Sequence, residues 1–362
     1  MPASPLVTVL LPVWNGASLP LTAEGEEPLR VAIRSLARQE AAPGAPVPDF
    51  EVLAVDDGST DGTAALLDAL AAEYPCLRVL HRPHEGLPGA LNAGLEAARG
   101  ELIARMDADD VCHPQRLALQ AAWMADHPET GLLATRVHFG GDRETARGFA
   151  HFVDWQNGLL DHEAISRNRF RDTPVSHPSV MFRRELPRLH GGYADGFFAE
   201  DWELWLRWLH AGVRMAKLPQ ELLVWNDPPR RATRSDSRYC EAANNQLRAR
   251  WLARWLERHN PWHPQVYLLG AGKVARRVWR RCGKKTCGWP LSWTSIPKRS
   301  GRRCTVCRSS AGTACPGRGA VSCSTPSPPT APTKTPPAGW LTPATVRSSG
   351  CWSERSRIAP EA

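Results

Sequence analysis

Two acidic turns in the 362-residue chain could do chemistry. The first reads Asp56-Asp57-Gly58-Ser59-Thr60-Asp61-Gly62-Thr63. Paired acids followed by glycine and small hydroxyl residues make a tight turn that caps the helix after it. The second, Asp107-Ala108-Asp109-Asp110, crowds three carboxylates into four residues. Such a cluster repels itself unless a cation sits among the oxygens. Oxygen-only ligands on a short loop suit Mg²⁺ or Mn²⁺, which keep water and substrate phosphates as their other ligands. Either turn alone also reads as an ordinary solvated loop; the pair reinforce each other because of where they fall.

Each follows a short apolar run. Leu6 to Val13, Phe50 to Val55, Leu77 to Leu80 and Glu101 to Met106 have the composition of strands buried on both faces. Helix-period stretches lie between and after them, at about 28–40, 62–74, 87–98 and 114–126. Alternation of strand and helix predicts an α/β fold with a mostly parallel sheet sandwiched by helices. Ligands of such sheets bind at the carboxyl ends of the strands, where both acidic turns fall.

Six segments together resemble family 2 glycosyltransferases with the GT-A fold, a Rossmann-like sheet. They are Val9 to Asn15, Val55 to Thr63, Gly86 to Gly94, Met106 to Leu117, Ser176 to Arg183 and Glu200 to Arg207, in the family's order and spacing over residues 5–227. The resemblance implies an inverting transfer of a sugar from a nucleotide donor to an acceptor hydroxyl. It makes Asp57 the carboxylate that reads the donor base, and Trp14 the aromatic residue flanking it, with Pro12 and Asn15 in the same donor-binding segment. Asp107 and Asp109 match the Asp-x-Asp metal motif, Asp109 as direct ligand and Asp107 also facing the donor. Asp201 matches the catalytic base of a Glu-Asp pair, with Glu200 as the other catalytic candidate. These roles make physical sense. A divalent ion neutralises the departing diphosphate without proton transfer. A carboxylate on the opposite face of an oxocarbenium-like sugar can take the acceptor's proton.

His177, before Pro178, lies where the family often has a histidine near the donor phosphates or acceptor; a structural histidine fits the pattern equally. Trp202, Trp205 and Trp208 recur at helical spacing and read as a core stripe rather than a sugar platform. After Trp225 many relatives carry a histidine in a segment that closes over the donor. This chain has Asn226-Asp227-Pro228-Pro229-Arg230-Arg231 instead, with Arg230, Arg231 and Arg234 available for a diphosphate. Residues 238–259 read as one further helix, basic on one face.

Charge is distributed unevenly. Residues 282–362 hold 12 Lys and Arg against 2 Asp and Glu, so the net charge of +8 belongs wholly to them. They also contain 7 of the 10 Cys and 11 of the 32 Pro, but no Phe or Tyr. Such a segment cannot bury enough apolar surface to order itself and reads as a disordered tail. Its cysteines invite a zinc reading and its basic residues a nucleic-acid one, but only Cys304 and Cys307 form a tight pair, and the charge describes a tail rather than a binding face.

Just before it, Gln265 to Leu269 and the turn Gly270-Ala271-Gly272 resemble the first strand and helix of a dinucleotide-binding module. An NAD(P)-dependent oxidoreductase centred there is the enzyme alternative, but no second strand follows. Reading the codons one base earlier after Arg281 turns Pro290 into Ala and Thr294 into Asp, because Trp289 and Trp293 have a single codon. The shifted frame is compatible with a Val-Asp-Ile-Asp-Pro strand about 20 residues past the glycines, where such a module wants its acid. We therefore expect a GT-A domain over 1–260, an interrupted Rossmann-like start over 261–281 and a frameshifted tail over 282–362. No apolar run of 18 residues and no secretory signal is seen, so a cytoplasmic protein is expected, with peripheral contact at the inner membrane face compatible. Expected partners are a nucleotide sugar and a glycan or lipid-linked acceptor, and not nucleic acid.

Overall fold

Seven consecutive buried residues, Val7–Val13, form β1 and set the plan of the molecule. A strand buried on both faces must lie inside a sheet covered on both sides. The computed structural model describes residues 5–228, 234 and 236–263. The Gly270–Gly272 turn, Arg230, Arg231, the cysteine-rich tail and the proposed change of frame lie outside the described residues.

Beside β1 run β2 (Phe50–Asp57) and β4 (Leu102–Arg105), both parallel to it, and β3 (Leu77–Arg82) continues the parallel ladder from β2. Beyond β4 the sheet changes character. Strands β5 (Val111–Cys112), β6 (Thr130–Phe139), β7 (Met181–Arg183) and β8 (Arg214–Trp225) complete the order β3-β2-β1-β4-β7-β6-β8-β5. Antiparallel β7 is inserted between β4 and β6, while β6 and β8 pair in parallel. The mixed second half was not anticipated, because a three-residue strand such as β7 leaves no periodicity to read.

Alternate residues of the strands feed two cores. Val7, Val9, Leu11 and Val13 face α1 (Pro28–Ala37), α2 (Thr63–Glu73) and α4 (Arg116–Asp126). Leu10, Leu53 and Val55 face α3 (Gly86–Ala97) and α8 (Glu200–His210). The expected helices are therefore present within a few residues. Trp202, Trp205 and Trp208 are at most 1% exposed, so the stripe is core. Between β6 and α8 lie α5 (Arg147–Asn157), α6 (His162–Asn168) and α7 (Glu185–His190). After β8, a single helical turn at Ser237–Tyr239 leads into α9 (Glu241–His259), the further helix expected from the sequence.

Pro12 is tolerated in this central strand for a geometric reason. Leu6 and Leu10 direct their carbonyls to β4, so Pro12, in the same phase, faces that side. The β1–β4 ladder stops at Leu10–Arg105, so the missing N–H falls where no partner strand remains.

Candidate active site

The carboxyl ends of β1, β2 and β4 lie side by side, and each continues into one of the expected segments. After β1, Asn15 adopts a left-handed conformation (φ 51°), which asparagine tolerates better than most residues. Its side-chain oxygen accepts the Thr60 N–H at 2.9 Å, and its own N–H donates to Ser59 Oγ at 2.9 Å. Asn15 thus ties the end of β1 to the first acidic turn.

In that turn both acids are almost inaccessible, at 3% exposure each. Asp56 accepts from the Ser59 N–H and meets His81 at 2.9 Å. Burial would raise its pKa, but Ser59 and His81 outweigh burial and hold it below the usual value. Asp57 receives the N–H groups of Glu85 and Gly86 at 2.8 and 2.9 Å, which fastens the start of α3 beneath it. Gly58 (φ +65°) is needed here, since a Cβ would lie 2.6 Å from the His84 nitrogen. Above the turn Trp14 stands 57% exposed, its ring stacked on His84 with centroids 4.8 Å apart. An exposed, supported aromatic face next to a buried carboxylate is a platform for a flat, polar ring.

The second acidic turn leaves β4. Asp107, one-third exposed, pairs with Arg105 at 2.6 Å. Asp110 is buried and its Oδ1 accepts the Asn226 N–H at 2.9 Å, while Asn226 Nδ2 donates to the Asp109 carbonyl at 2.6 Å. Asn226, the residue after Trp225, therefore clamps the acidic loop to the end of β8. Fully buried Arg116 supports the loop from below, donating to the Arg105 carbonyl at 2.8 Å. No group of three His, Cys, Asp or Glu side chains among the described residues is arranged to hold a metal alone. Two carboxylates on one loop still fit Mg²⁺ or Mn²⁺, which take few protein ligands and complete their shell with water and substrate phosphates.

Glu200 and Asp201 open α8, where the helix N-terminus favours negative charge. Glu200 is 3% exposed and accepts the Tyr239 hydroxyl at 2.6 Å; Asp201 is partly exposed and accepts its neighbour Trp202's N–H at 2.7 Å. Burial raises both pKa values, and the Glu200 charge raises that of Asp201 further. A carboxylate displaced upward towards neutrality is suited to take and return a proton. His177 lies buried against this pair. Its Nε2 shares a hydrogen bond of 2.8 Å with the Tyr193 hydroxyl, and Nδ1 stands 3.9 Å from Glu200 Oε1. Burial, then the charge of Arg105, keep the imidazole neutral by lowering its pKa well below the ordinary value.

Asp57, Trp14, Pro12, Asn15, Asp107 and Asp109 therefore lie at the strand ends, Glu200 and Asp201 on the first turn of α8 with His177 beside Glu200, and Arg234 pairs with Asp227 at 2.6 Å. Four supporting residues were missed: Arg105, Tyr193, Asn226 as a clamp, and Tyr239. Arg105 had a signal, a lone charge inside the apolar run Leu102-Ile103-Ala104-Arg105. The tyrosines had none, because only the folded chain brings them to the carboxylates.

The fold is thus an α/β sheet with two acidic turns at its carboxyl edge and a pair of carboxylates at the start of α8. Residues 8–187 match the family model "Glycosyl transferase family 2", and residues 102–309 match "Glycosyl transferase family group 2". The chain belongs to glycosyl transferase family 2. It is 31% identical over 180 residues to the amylovoran biosynthesis glycosyltransferase AmsE of Erwinia amylovora, a match covering 48% of this chain and 63% of that protein. It is 27% identical over 197 residues to the UDP-Gal:alpha-D-GlcNAc-diphosphoundecaprenol beta-1,3-galactosyltransferase of Escherichia coli, covering 54% and 67%. The chain thus spans a little under two-thirds of the length of AmsE. The fold resembles that of S. aureus TarS residues 1–349, solved with UDP-GlcNAc, at a TM-score of 0.51 and 18% identity, covering 76% of this chain and 79% of that one. The architecture is GT-A. No helix among the described residues is long and apolar enough to cross a membrane.

Proposed function

We propose that the chain is an inverting glycosyltransferase that moves a sugar from a nucleoside-diphosphate donor to an acceptor hydroxyl. The observation that carries this reading is the pair of acidic turns at the carboxyl ends of β2 and β4 in one fold with the Glu200–Asp201 pair that opens α8. A leaving diphosphate and a proton-accepting carboxylate are the two requirements of direct displacement at a sugar carbon.

Asp57 and the Trp14 face bind the donor base, with Pro12 and Asn15 shaping the turn beneath it. UDP- and dTDP-sugars suit this arrangement, and the name of the E. coli relative carries a UDP-sugar. Asp109 and Asp107 would hold Mg²⁺ or Mn²⁺, which would supply positive charge at the departing diphosphate. Asp201 takes the acceptor's proton as the new carbon–oxygen bond forms and the bond to the diphosphate breaks on the opposite face. His177 contributes by packing on Glu200, with the donor phosphates or acceptor as its nearest substrate neighbours. The acceptor is a lipid-linked or surface glycan, a reading supported by the diphosphoundecaprenol in the name of the E. coli relative, and peripheral contact at the inner membrane face is compatible with it.

A panel of nucleotide sugars incubated with the full chain, with Mn²⁺ and with EDTA, tests this reading. Donor hydrolysis or transfer with one or a few UDP- or dTDP-sugars, lost with EDTA, is expected. Absence of binding and turnover with every nucleotide sugar refutes it.

A further inference from the structure

The segment that leaves α6 reads Arg169-Phe170-Arg171-Asp172. Two hydrogen bonds fix its position. Trp202 on α8 donates its indole N–H to the Arg169 carbonyl at 2.9 Å, and Arg248 on α9 donates Nη2 to the Arg171 carbonyl at 2.8 Å. The Arg248 guanidinium lies over the Trp202 ring, 5.3 Å from its centroid. Trp202 follows Asp201, whose carboxylate accepts its backbone N–H at 2.7 Å. A basic segment and a third arginine therefore meet at the residue next to the carboxylate pair.

These arginines rest on aromatic rings and not on acids. Arg169 lies over Phe170 and Trp255 at 5.1 and 5.5 Å, and Arg171 over Trp155 at 4.8 Å. Among the described residues none of the three forms an ion pair, whereas Arg167, two residues earlier, pairs with Glu163. The neighbouring Asp172 accepts the Thr173 N–H at 2.8 Å. Arg169 and Arg248 spend one amino group each on Ser166 Oγ and Asn245 Oδ1, at 2.6 and 3.2 Å. The Nε of Arg248 is buried without an acceptor, and Arg171 is exposed with no side-chain hydrogen bond among the described residues. Cation–π contacts orient a guanidinium without neutralising it. They leave free the N–H edge that pairs with two oxygens of a phosphate.

We propose that Arg169, Arg171 and Arg248 form an acceptor subsite that binds the diphosphate of a diphosphate-linked glycan. The inference rests on the reading of Asp201 as the base that receives the acceptor hydroxyl. A sugar whose hydroxyl reaches Asp201 carries its anomeric diphosphate one ring away. A donor diphosphate has its counter-charge in the metal of the acidic loop, so an acceptor diphosphate needs cations of its own. The subsite therefore selects glycans on a diphosphate over free sugars.

Calorimetry on the full chain without Mn²⁺ tests this, with a water-soluble short-chain alkyl diphosphate of N-acetylglucosamine as the probe. Arg171→Gln should weaken the probe at least about tenfold, and R169Q/R171Q should weaken it further. Arg171 is exposed and its side chain makes no hydrogen bond among the described residues, so R171Q retains the fold. Excess inorganic diphosphate should displace the probe from wild type. UDP affinity, measured with Mn²⁺, should stay within about twofold in both variants. Arg167→Gln removes an equal charge two residues away and should change probe affinity by less than about twofold.

Unchanged probe affinity in R169Q/R171Q overturns the proposal. An equal loss in R167Q overturns it too, as general attraction to anions, and an equal loss of UDP affinity would assign the arginines to the donor. Binding to phosphatidylglycerol vesicles that falls in R171Q while the probe is unaffected would make the cluster a membrane contact instead. If wild type bound the probe through these arginines but transferred no sugar, the functional reading would fail while the subsite stood. In an active chain, R171Q should raise the KM for the diphosphate-linked acceptor with kcat and donor KM held.

Discussion

Lys217, on β8, is 5% exposed and donates its amine to the carbonyl oxygens of Gln156 and Pro174. Pro174 lies three residues before His177, so this amine supports the wall behind the carboxylate pair. Burial first, then the charge of Arg136, bring its pKa down from 10.5 to about 7. The folded chain therefore holds this lysine neutral between pH 7 and 10.5, whereas the unfolded chain protonates it. The unfolded state binds more protons across that window, so stability rises with pH there. At about 1.4 kcal/mol per unit, the contribution is at most ~5 kcal/mol over the whole window.

Lys217→Met removes the titration while keeping an apolar stem. It lowers stability by a constant amount for the two carbonyls left unpaired, but should flatten the slope. Urea unfolding of both proteins at pH 7.5, 8.5 and 9.5 measures this. Wild type should gain on the variant by about 2–3 kcal/mol from the first pH to the last. Titrations of cysteines and histidines are common to both and cancel. Parallel stability curves would show that Lys217 is charged in the folded chain and that the carbonyls around it are solvated.

Three substitutions probe the site directly. Asp109→Asn should abolish the response to Mn²⁺ together with most turnover, because an amide cannot balance an ion beside a diphosphate; an unchanged Mn²⁺ titration would remove Asp109 from the metal site. Asp201→Asn should lower kcat by roughly 10²- to 10⁴-fold while donor affinity survives. Collapse of donor affinity with kcat intact would make Asp201 a binding residue and leave Glu200 as the base. Trp14→Ala should change stability by less than about 0.5 kcal/mol, since the ring is 57% exposed, yet weaken nucleotide binding by about 1–3 kcal/mol. Calorimetry with UDP and dTDP checks it, and equal affinities would move the base elsewhere.

Residue order along the chain was enough to determine the parallel half of the sheet, the helices over it and the acidic groups at its edge. The reason is local. Val7–Val13 is apolar throughout because both faces of β1 are covered, and turns rich in Asp, Gly and Ser follow strands because backbone amides there need acceptors. The tryptophan stripe was legible for the same reason, since helical spacing assigns three residues to one face.

Tertiary structure decided what each group does. Asp57 and Asp107 look alike in sequence. One receives two amides from the start of α3, while the other pairs with a buried arginine. Tyr239 lies 39 residues from Glu200 and Asn226 lies 117 from Asp109, separations at which no periodicity survives. Burial, which raises the Glu200 and Asp201 pKa values, is likewise a property of what surrounds the carboxylates rather than of their neighbours in the chain. Identity and spacing name the groups that can exchange protons or bind ions; only packing sets the dielectric and the partners that decide which of them will.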